Sequence, residues 1–555
     1  MIEAGMACAI RNTVGDALRR SADRFRDKTA LAFADRGWTY AGLDLAADRV
    51  ARRLLALGLQ PGDRVCAYGR NSDGYLLAWL GCARAGLVHV PVSYALTAEE
   101  LDYIVRQSGA AVLLYQPALR EVVESVRGRT SIPHTATLDL GMESEAEFDV
   151  LAAARDPRWN QPGDLPLGEA VRDEDLAQLL YTAGTTGRPK GAMMTHRALM
   201  AEYASCIVGL EPKHDDRALA ALPLYHAAQM HCIVMPGLLV GLFTHLIEAP
   251  VPALCLELIE RGRLTTFFAP PTVWISLLRH PDFDRRDLGS LRSIQYGASI
   301  MPVPVLHELR RRLPGARPFN GFGQSEIGPL ATVLKPEEHE RRPGSVGRPV
   351  LNVQARVVDP GMRDTAPGVA GEVVYRSPQL LLGYWGMPEE TARAFEGGWF
   401  HSGDVATVDE EGYLTIVDRT KDLVNTGGTL VASREVEEAL FTHPAVAEVA
   451  VIATPDPKWI EAVTAVVVLR EGAGQMLGGQ VEQSLIAHVR ERLAPFKVPK
   501  HVVIVESLPK NTAGKILKRE LRDRYAEISA DALRPAQLGS NSAPQSDNQV
   551  LACRA

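Results

Sequence analysis

The 555-residue sequence lacks a strong excess of charge of either sign, with 60 Lys and Arg against 67 Asp and Glu and a formal net charge of -7. Proteins whose main partner is a nucleic acid carry a basic face, so this balance argues against nucleic acid as a partner. Cysteine is scarce, and the seven present include no CxxC pair and no spacing typical of a metal site. We expect them to be free thiols in a reducing compartment.

Long hydrophobic runs are also missing. The most apolar stretch, Cys232 to Phe243, is too short to span a bilayer and contains Pro236. It predicts a buried element and no integral membrane segment. The N-terminus lacks the charged-then-apolar layout of a secretory signal, so a cytoplasmic location is expected.

The composition is that of a large folded protein, with 46% hydrophobic and 23% charged residues. Single cores stop growing near ~250 to 300 residues, so more than one domain is expected. Residues 1–420 are predicted to form an N-terminal domain and residues 421–527 a small mobile domain, divided at a charged segment near Lys421. Residues 528–555 are rich in Ala, Ser, Pro and Asn and are predicted to be a disordered tail.

The N-terminal part alternates between strand-like and helix-like segments. A hairpin is predicted around Asp35 to Gly37, followed by apolar residues at helical spacing that end at Gly58. A strand, a helix and a further strand follow at Arg64 to Tyr68, Asp73 to Arg84 and Leu87 to Val92. This alternation predicts an α/β fold of layered, mainly parallel sheets and helices, and the region after Lys421 begins a separate α+β pattern.

A strand predicted over Leu176 to Tyr181 leads into the segment TAGTTGRPKG, which runs from Thr182 to Gly191. Glycines allow backbone N–H groups to converge on an anion, hydroxyls add donors, and a lysine adds a full charge. The composition therefore predicts a phosphate-binding loop. It is not a Walker A loop, because Pro189 stands where that pattern has its second glycine. The alternative is a turn that only links two elements.

Seven further motifs follow in order: LPLYHAAQ at 222–229, YGAS at 296–299, GFGQSE at 321–326, GSVGRP at 344–349, GEVVYRSPQLLLGYWGMPEET at 371–391, GWFHSGDVATVDEEGYLTIVDRTKD at 398–422 and PKNTAGKILKREL at 509–521. With YTAGTTGRPKG, this set resembles the adenylate-forming superfamily of acyl-CoA synthetases, amino-acid adenylation domains and beetle luciferases. The similarity covers about residues 10 to 525 and is greatest to bacterial fatty-acid:CoA ligases.

The resemblance implies an ATP-dependent acid:CoA ligase that uses Mg²⁺. Such an enzyme adenylates a carboxylic acid with release of pyrophosphate and then transfers the acyl group to CoA with release of AMP. No general base is required because the free acid is ionised at pH 7, but the site must neutralise the charge of two anions. The expected partners are a small-molecule carboxylic acid, ATP and CoA, and a homodimer is left open.

The resemblance also assigns the nucleotide-binding residues. The phosphate contacts are Thr182, Gly184, Thr185, Thr186, Gly187 and Lys190, and the ribose contacts are Asp404 and Arg419. The rest of the nucleotide is assigned to Gly297, Ala298, Ser299, Gly321, Phe322, Gly323 and Ser325, with Phe322 stacked on adenine and Ser325 at the α-phosphate. Glu326 is the assigned ligand of the magnesium ion. An Asp before an apolar strand, as at Asp404, is otherwise a common cap or turn residue.

Four residues are assigned to catalysis by the same resemblance, namely Lys190, His226, Glu326 and Lys515. Lys515 would bridge the substrate carboxylate and the α-phosphate. The acyl-binding residues are His226, Gly297 and Gln324, the hinge of a rotating C-terminal domain is Lys421, and the CoA tunnel is flanked by Gly427 and Gly428. The paired glycines could alternatively form only a tight turn.

Three positions depart from the family pattern: Ala183 for Ser, Ser325 for Thr, and Thr429-Leu430 for Glu-Asn. The last of these leaves the geometry of the thiol acceptor open. No aspartate stands where amino-acid-activating relatives hold an α-ammonium group, which argues against an amino-acid substrate. The resemblance to bacterial fatty-acid:CoA ligases implies a fatty acid, with aryl or other hydrophobic acids as the alternative. An acyl-AMP ligase that loads a carrier protein, and a non-catalytic nucleotide-binding protein, are further hypotheses.

Overall fold

The computed structural model describes residues 9–526 apart from 143–145, 161–166, 168–169, 183–187, 300, 420, 427–428, 457–458, 474–479 and 513. The chain divides into two compact units. One comprises Met1–Leu423 with Leu508–Leu517, and the other comprises Val424–Ser507 with Lys518–Ala555. The segment Leu508–Leu517 therefore groups with the first unit, although it lies within the stretch predicted as the C-terminal domain. The predicted tail lies outside the described residues.

The α-helices of the described residues are α1 Val14–Phe25, α2 Tyr40–Leu55, α3 Asp73–Ala85, α4 Ala98–Ser108, α5 Arg120–Arg127, α6 Val150–Arg155, α7 His196–Leu210, α8 Met235–Val240, α9 Pro252–Gly262, α10 Pro271–Arg279, α11 Val303–Arg312, α12 Pro388–Ala394, α13 Ser433–Phe441, α14 Val481–Arg490 and α15 Lys518–Arg524. A π-helix, Ala228–Val234, runs directly into α8.

The strands are β1 Thr29–Phe33, β2 Arg36–Thr39, β3 Arg64–Gly69, β4 Val88–Ser93, β5 Ala110–Tyr115, β6 His134–Thr137, β7 Leu176–Thr182, β8 Lys190–Thr195, β9 Arg217–Ala220, β10 Phe243–Leu246, β11 Thr266–Phe268, β12 Ser293–Gly297, β13 Arg317–Phe322, β14 Thr332–Leu334, β15 Arg348–Pro349, β16 Gln354–Val358, β17 Gly371–Arg376, β18 Phe400–Val408, β19 Leu414–Arg419, β20 Val424–Thr426, β21 Thr429–Val431, β22 Val446–Asp456, β23 Ile460–Leu469 and β24 His501–Val505.

Three sheets lie in the first unit. One has nine strands in the order β15-β14-β13-β12-β11-β9-β10-β1-β2, and another has six in the order β6-β5-β3-β4-β7-β8. Both are mainly parallel, with antiparallel pairs only toward their ends. The third sheet, β16 to β19, is antiparallel throughout. The predicted α/β class is confirmed.

The second unit is built on a single five-stranded sheet in which β22 and β23 form a long antiparallel pair. Strand β24 joins β23 in parallel. Buried Val, Ala and Leu side chains of the sheet pack with those of α13 and α14 into a separate core. The unit is therefore a small α+β body, as the change of pattern after Lys421 predicts.

Local sequence explains where the helices of the first unit begin and end. The Thr97 hydroxyl accepts a hydrogen bond from the N–H of Glu100, and the Glu100 carboxylate accepts one from the Thr97 N–H, so α4 begins at a capping box. Helix α3 is capped by Ser72 and ends at Gly86 in the left-handed conformation. The hairpin predicted around Asp35 to Gly37 is the antiparallel pair β1–β2.

The most apolar stretch of the sequence lies inside the first unit, as predicted. Val234, Met235 and Leu238 are buried in its core. The five cysteines that the structure describes are buried free thiols, in agreement with the sequence. Among the described residues, no helix has both the length and the apolar character needed to cross a membrane.

Candidate active site

The two described ends of the phosphate-loop motif meet across a pair of strands. Thr182 ends β7 and Lys190 begins β8, and the two residues are antiparallel partners. The predicted phosphate contacts between them, Gly184, Thr185, Thr186 and Gly187, lie outside the described residues. The Lys190 ammonium forms an ion pair with Glu390 and lies 5.2 Å from the centre of the Tyr384 ring. The strand pairing therefore holds a lysine beside the loop, as a phosphate site requires.

Glu326 lies in a short 3₁₀ turn, Ser325–Ile327, and is buried. Its Oε1 accepts a hydrogen bond from the Thr182 hydroxyl at 2.9 Å and from the Tyr384 hydroxyl at 3.3 Å. Within the described part of the chain, no Lys, Arg or His forms an ion pair with this carboxylate. A buried carboxylate held by neutral donors suits a hard cation such as Mg²⁺, which prefers oxygen ligands.

The motifs YGAS and GFGQSE meet because β12 and β13 are parallel neighbours with Gly297 opposite Gly321. A Cβ atom on Gly297 would lie 2.2 Å from the Gly321 carbonyl oxygen, so no larger residue fits there. Ala298 follows in the left-handed region with φ 61°, and the assigned Ser299 comes next. Strand β13 ends at Phe322, which is partly buried against the core.

The end of this second motif also reaches the antiparallel sheet. Gly323 continues beyond β13, and the Gln324 amide donates to the Ser402 carbonyl at 3.4 Å. Ser402 lies two residues before Asp404 on β18. The segment that follows Phe322 and the strand that carries Asp404 are therefore joined by a direct hydrogen bond.

Asp404 and Arg419 are antiparallel partners on β18 and β19. The Arg419 Nε lies 3.1 Å from the Asp404 Oδ1, while the Oδ2 is buried without a hydrogen-bond partner. Burial raises the pKa of Asp404, and Arg419 and Lys515 oppose that rise. An unpartnered buried carboxylate oxygen is costly, and a ligand hydroxyl would satisfy it.

Lys515 is presented by a tight turn in the segment Leu508–Leu517. Its N–H donates to the Asn511 side chain at 2.9 Å, its carbonyl accepts the Asn511 N–H, and Lys510 pairs with Ile516. Gly514 has φ 79°, which favours glycine, and it packs against Thr272. The Tyr225 and Thr512 hydroxyls share a hydrogen bond beside His226.

Two other cations, Arg419 and Lys421, influence Lys515. Arg419, burial and Lys421 together lower the pKa of Lys515 to about 8, against the opposing effect of Asp404 and Asp422. Burial and the charge of Lys515 lower the pKa of His226 to about 4, so this imidazole is neutral at pH 7. The His226 Nε2 is buried without a partner. The structure thus brings together Lys515, His226, Asp404 and Arg419, as the resemblance requires.

Acyl-adenylate formation is expected to fall at alkaline pH. The role predicted for Lys515 requires its ammonium form, and its pKa of about 8 means that the proton is lost above that pH. The kcat/KM for ATP should then decrease about tenfold per pH unit above the pKa. Pyrophosphate release measured from pH 6 to 10 tests this, and Lys515→Arg should move the decline upward. An identical alkaline limb in Lys515→Arg would assign it to another group.

Sequence reasoning missed Tyr384 and Glu390, which contact the two charged residues of the phosphate site. Both lie in the quoted motif GYWGMPEET, but nothing in their spacing reveals what they contact. Lys421 is exposed at the end of the first unit. Gly427 and Gly428 lie outside the described residues, so the hinge and the CoA tunnel remain predictions.

Comparisons with known proteins agree with this geometry. The family model "AMP-binding enzyme" matches residues 18–385, and "AMP-binding enzyme C-terminal domain" matches residues 435–515. A feruloyl-CoA synthase from Amycolatopsis sp is 38% identical over 90% of this chain and 96% of its own. A long-chain-fatty-acid–CoA ligase from Bacillus subtilis (strain 168) is 31% identical over 93% and 95%.

Solved structures give the same result. The crystal structure of ATP-bound MatB from Rhodopseudomonas palustris superposes with a TM-score of 0.82 at 31% identity, covering 93% of this chain and 99% of that one. The chain belongs to the AMP-binding enzyme family, whose fold it shares. Within that family it is an AMP-forming acid:CoA ligase that uses ATP. The resemblance inferred from the sequence is confirmed.

Proposed function

We propose that the chain activates an aromatic carboxylic acid, of the kind named for the feruloyl-CoA synthase relative, and transfers it to CoA. The observation that carries the choice of acid is a set of hydrogen-bonded polar side chains buried behind the acyl-binding residues. We call this set the polar band. Its members are His89, Gln178, Glu202, Tyr203, Cys206, His231, Cys232 and Gln379.

The proposed nucleotide site follows from the geometry above. Asp404 accepts hydrogen bonds from the ribose hydroxyls, which supply the partner that its Oδ2 lacks. Arg419 holds Asp404 and the ribose, and Phe322 stacks on adenine. Glu326, with the phosphates, holds Mg²⁺, which when bound neutralises phosphate charge.

The proposed chemistry has two steps on one centre. A carboxylate oxygen of the acid attacks the α-phosphorus, the bond to the bridging oxygen breaks, and pyrophosphate leaves. Lys515 stabilises the charge on the transferring oxygens, and Lys190 holds the leaving phosphates. The CoA thiol then attacks the acyl carbonyl, and AMP leaves with the electrons of the broken C–O bond while the thiol proton passes to solvent.

The acyl group is proposed to begin at His226, Gly297 and Gln324 and to extend into the first unit. The π-helix Ala228–Val234 leads inward from His226. His226 and Ala228 on this stretch are only partly buried, and Cys232, one turn further on, keeps 8% exposure, whereas His231 beside it has none. On this face we place the inner end of the acyl group at Cys232, which belongs to the polar band.

Glu202 is the centre of the polar band. Its Oε1 accepts hydrogen bonds from the Leu330 N–H at 2.9 Å and from the thiols of Cys206 at 3.2 Å and Cys232 at 3.7 Å. Burial raises the pKa of Glu202 to about 8, so it is mostly protonated at pH 7. Leu330 follows Gln324 by six residues, so the band contacts both segments that carry acyl-binding residues.

The rest of the polar band continues the same layer. His231 is bonded to the Tyr203 hydroxyl at 2.8 Å and to Gln178 at 2.7 Å, and Gln178 is bonded to His89 at 2.9 Å. Burial lowers the pKa of both His89 and His231 to about 3, so each ring is neutral. The layer is polar, uncharged and largely satisfied by its own hydrogen bonds.

A long alkyl chain that entered this layer would separate hydrogen-bonded groups without offering replacements. Each buried polar group left unpaired costs about 1 to 3 kcal/mol. A short, flat aromatic acyl group can end before the band, and a ring hydroxyl there could exchange hydrogen bonds with it. The polar band therefore supports an aromatic acid over a long-chain fatty acid.

A fatty acid is the second candidate, and it is the acid that the sequence predicts. It is supported by the fatty-acid ligases among the relatives, including one from Mycobacterium tuberculosis that is 33% identical over 88% of this chain. These relatives are less identical to this sequence than the feruloyl-CoA synthase, which is 38% identical. The two candidates differ in whether the acyl group stops at Cys232 or passes it.

An acid panel tests the proposal. Hydroxycinnamic acids, benzoic acids and fatty acids of eight to sixteen carbons would be supplied with ATP, Mg²⁺ and CoA while AMP and thioester are measured. We expect the highest kcat/KM with a hydroxycinnamic acid. Cys232→Phe should reduce activity with the largest aromatic acids more than with benzoate, because it narrows the inner end of the space. Higher kcat/KM with a long fatty acid than with every aromatic acid would overturn the proposal.

A further inference from the structure

We infer that Glu390 competes with the phosphates of ATP for the Lys190 ammonium, and so sets the affinity for ATP and promotes the release of pyrophosphate. The inference rests on the proposed phosphate-binding role of Lys190. It gives a function to the motif GYWGMPEET, which neither the sequence nor the nucleotide site explains.

The contact between the two residues is direct. The Lys190 Nζ pairs with the Glu390 Oε2, and the two side chains are 9% and 20% exposed. Among the described residues, Glu390 is the carboxylate that forms an ion pair with Lys190. This carboxylate therefore occupies the position on the ammonium that a phosphate oxygen would take.

The backbone holds Glu390 in place beside the phosphate loop. Gly191 and Met193 of β8 exchange backbone hydrogen bonds of 2.8 to 2.9 Å with the segment 382–385. The Thr391 hydroxyl donates to the Met387 carbonyl and accepts from the Tyr384 N–H, both at 2.9 Å, and so fixes the start of α12. The pairing is therefore built into the fold of one strand and the turn beside it.

Glu390 has a second cationic partner available when Lys190 is taken by phosphate. Its Oε1 accepts a hydrogen bond from Arg393, one turn along α12, whose side chain is 67% exposed. Lys190 is the first cause of the lowered pKa of Glu390, and Arg393 contributes as well. The carboxylate stays ionised and hydrogen-bonded in either arrangement.

The ion pair between Lys190 and Glu390 is expected to weaken the binding of ATP and to favour the release of pyrophosphate. A triphosphate carries more negative charge than one carboxylate, so ATP displaces Glu390 from Lys190. After adenylation, Glu390 can pair again with Lys190 and lower the affinity for pyrophosphate. The ion pair thus weakens the binding of both the substrate and the leaving group.

The test is steady-state kinetics of Glu390→Gln, which removes the charge and keeps the shape. We expect the KM for ATP and the inhibition constant of pyrophosphate each to fall about two- to fivefold, the range of a partly exposed ion pair. The KM for the acid should stay unchanged. Glu389→Gln is the matched control because Glu389 is exposed on the same turn, and Glu390→Asp should restore part of the effect.

One further variant, Lys190→Ala, distinguishes failure of this inference from failure of the proposed phosphate-binding role of Lys190. If Lys190→Ala leaves the KM for ATP and pyrophosphate inhibition unchanged, the phosphate role of Lys190 fails, and the inference fails with it. If Lys190→Ala weakens ATP binding but Glu390→Gln leaves both constants unchanged or raises them, Glu390 is a support for Lys190 and not a competitor. Thermal unfolding of each variant confirms that the constants are measured on folded protein.

Discussion

Replacement of Lys515 by alanine is expected to reduce acyl-adenylate formation about 100- to 1,000-fold, the usual effect of removing one preorganised group that stabilises transition-state charge. Lys515 is the cation of the segment Leu508–Leu517 that interacts with both Asp404 and His226. Without this ammonium, the negative charge on the transferring oxygens loses a positive group that stabilises it in the transition state. The measurement is pyrophosphate release with a saturating acid.

The same variant should form thioester from a synthetic acyl-adenylate and CoA at close to the normal rate. Lys510→Ala is the matched control because Lys510 lies on the same turn with an exposed side chain. An equal loss in both half-reactions would contradict a role confined to adenylation. An equal loss in Lys510→Ala would point instead to disruption of the turn.

Glu326→Gln is expected to lower the kcat/KM for ATP about 100-fold, since several kcal/mol of charge stabilisation depend on the metal that this carboxylate would hold. Glutamine keeps the Oε1 that accepts hydrogen bonds from Thr182 and Tyr384. The loss should therefore reflect the missing charge and not a displaced loop. Titration with free Mg²⁺ at saturating ATP should show a higher half-saturation concentration.

The control for this variant is Glu340→Gln, which removes an exposed carboxylate from the same unit. Unchanged magnesium dependence in Glu326→Gln would show that the cation is held elsewhere. If Glu326→Gln lowers the unfolding temperature so far that the protein is partly unfolded during the assay, and this accounts for the lost activity, Glu326 acts only through the fold.

The structure accounts for the size of the expected effects at Glu326. The peptide carbonyl of Glu326 accepts the Leu381 N–H at 2.8 Å, so its backbone is tied to the segment that carries Tyr384. On the other side, Gln379 donates to the carbonyls of Ile327 and Leu330 at 2.9 and 2.7 Å. The turn that carries the carboxylate is thus held from both ends, which is the preorganisation that charge stabilisation requires.

Much of this architecture was predictable from local patterns. The hairpin around Asp35 to Gly37, the strand from Arg64 and the helix from Asp73 depend on neighbouring residues, and each was found where the pattern places it. The grouping of Leu508–Leu517 with the first unit was not predictable, because it depends on contacts such as that of Tyr225 with Thr512 across the sequence.

The acid that the enzyme activates is a second feature that local sequence patterns do not specify. The motifs specify the nucleotide chemistry because ATP is the same in every relative, whereas the acyl space is bounded by residues from distant segments. Glu202, Cys232 and Leu330 lie on three separate elements, and only folding places them in one hydrogen-bonded group. The fatty acid predicted from the sequence therefore stands against the aromatic acid that the polar band supports.

By itself, the sequence determined the family, the reaction class and the order of the strands and helices, because these depend on residues close together in the chain. It also supplied Lys190, Glu326, Asp404 and Lys515 as candidates. Only the tertiary structure decided that Glu390 pairs with Lys190, that Asp404 keeps an unpartnered oxygen, and that Glu202, Cys206 and Cys232 form one buried hydrogen-bonded group. Those facts depend on burial and on contacts between distant residues, which determine charge and hydrogen bonding at the site.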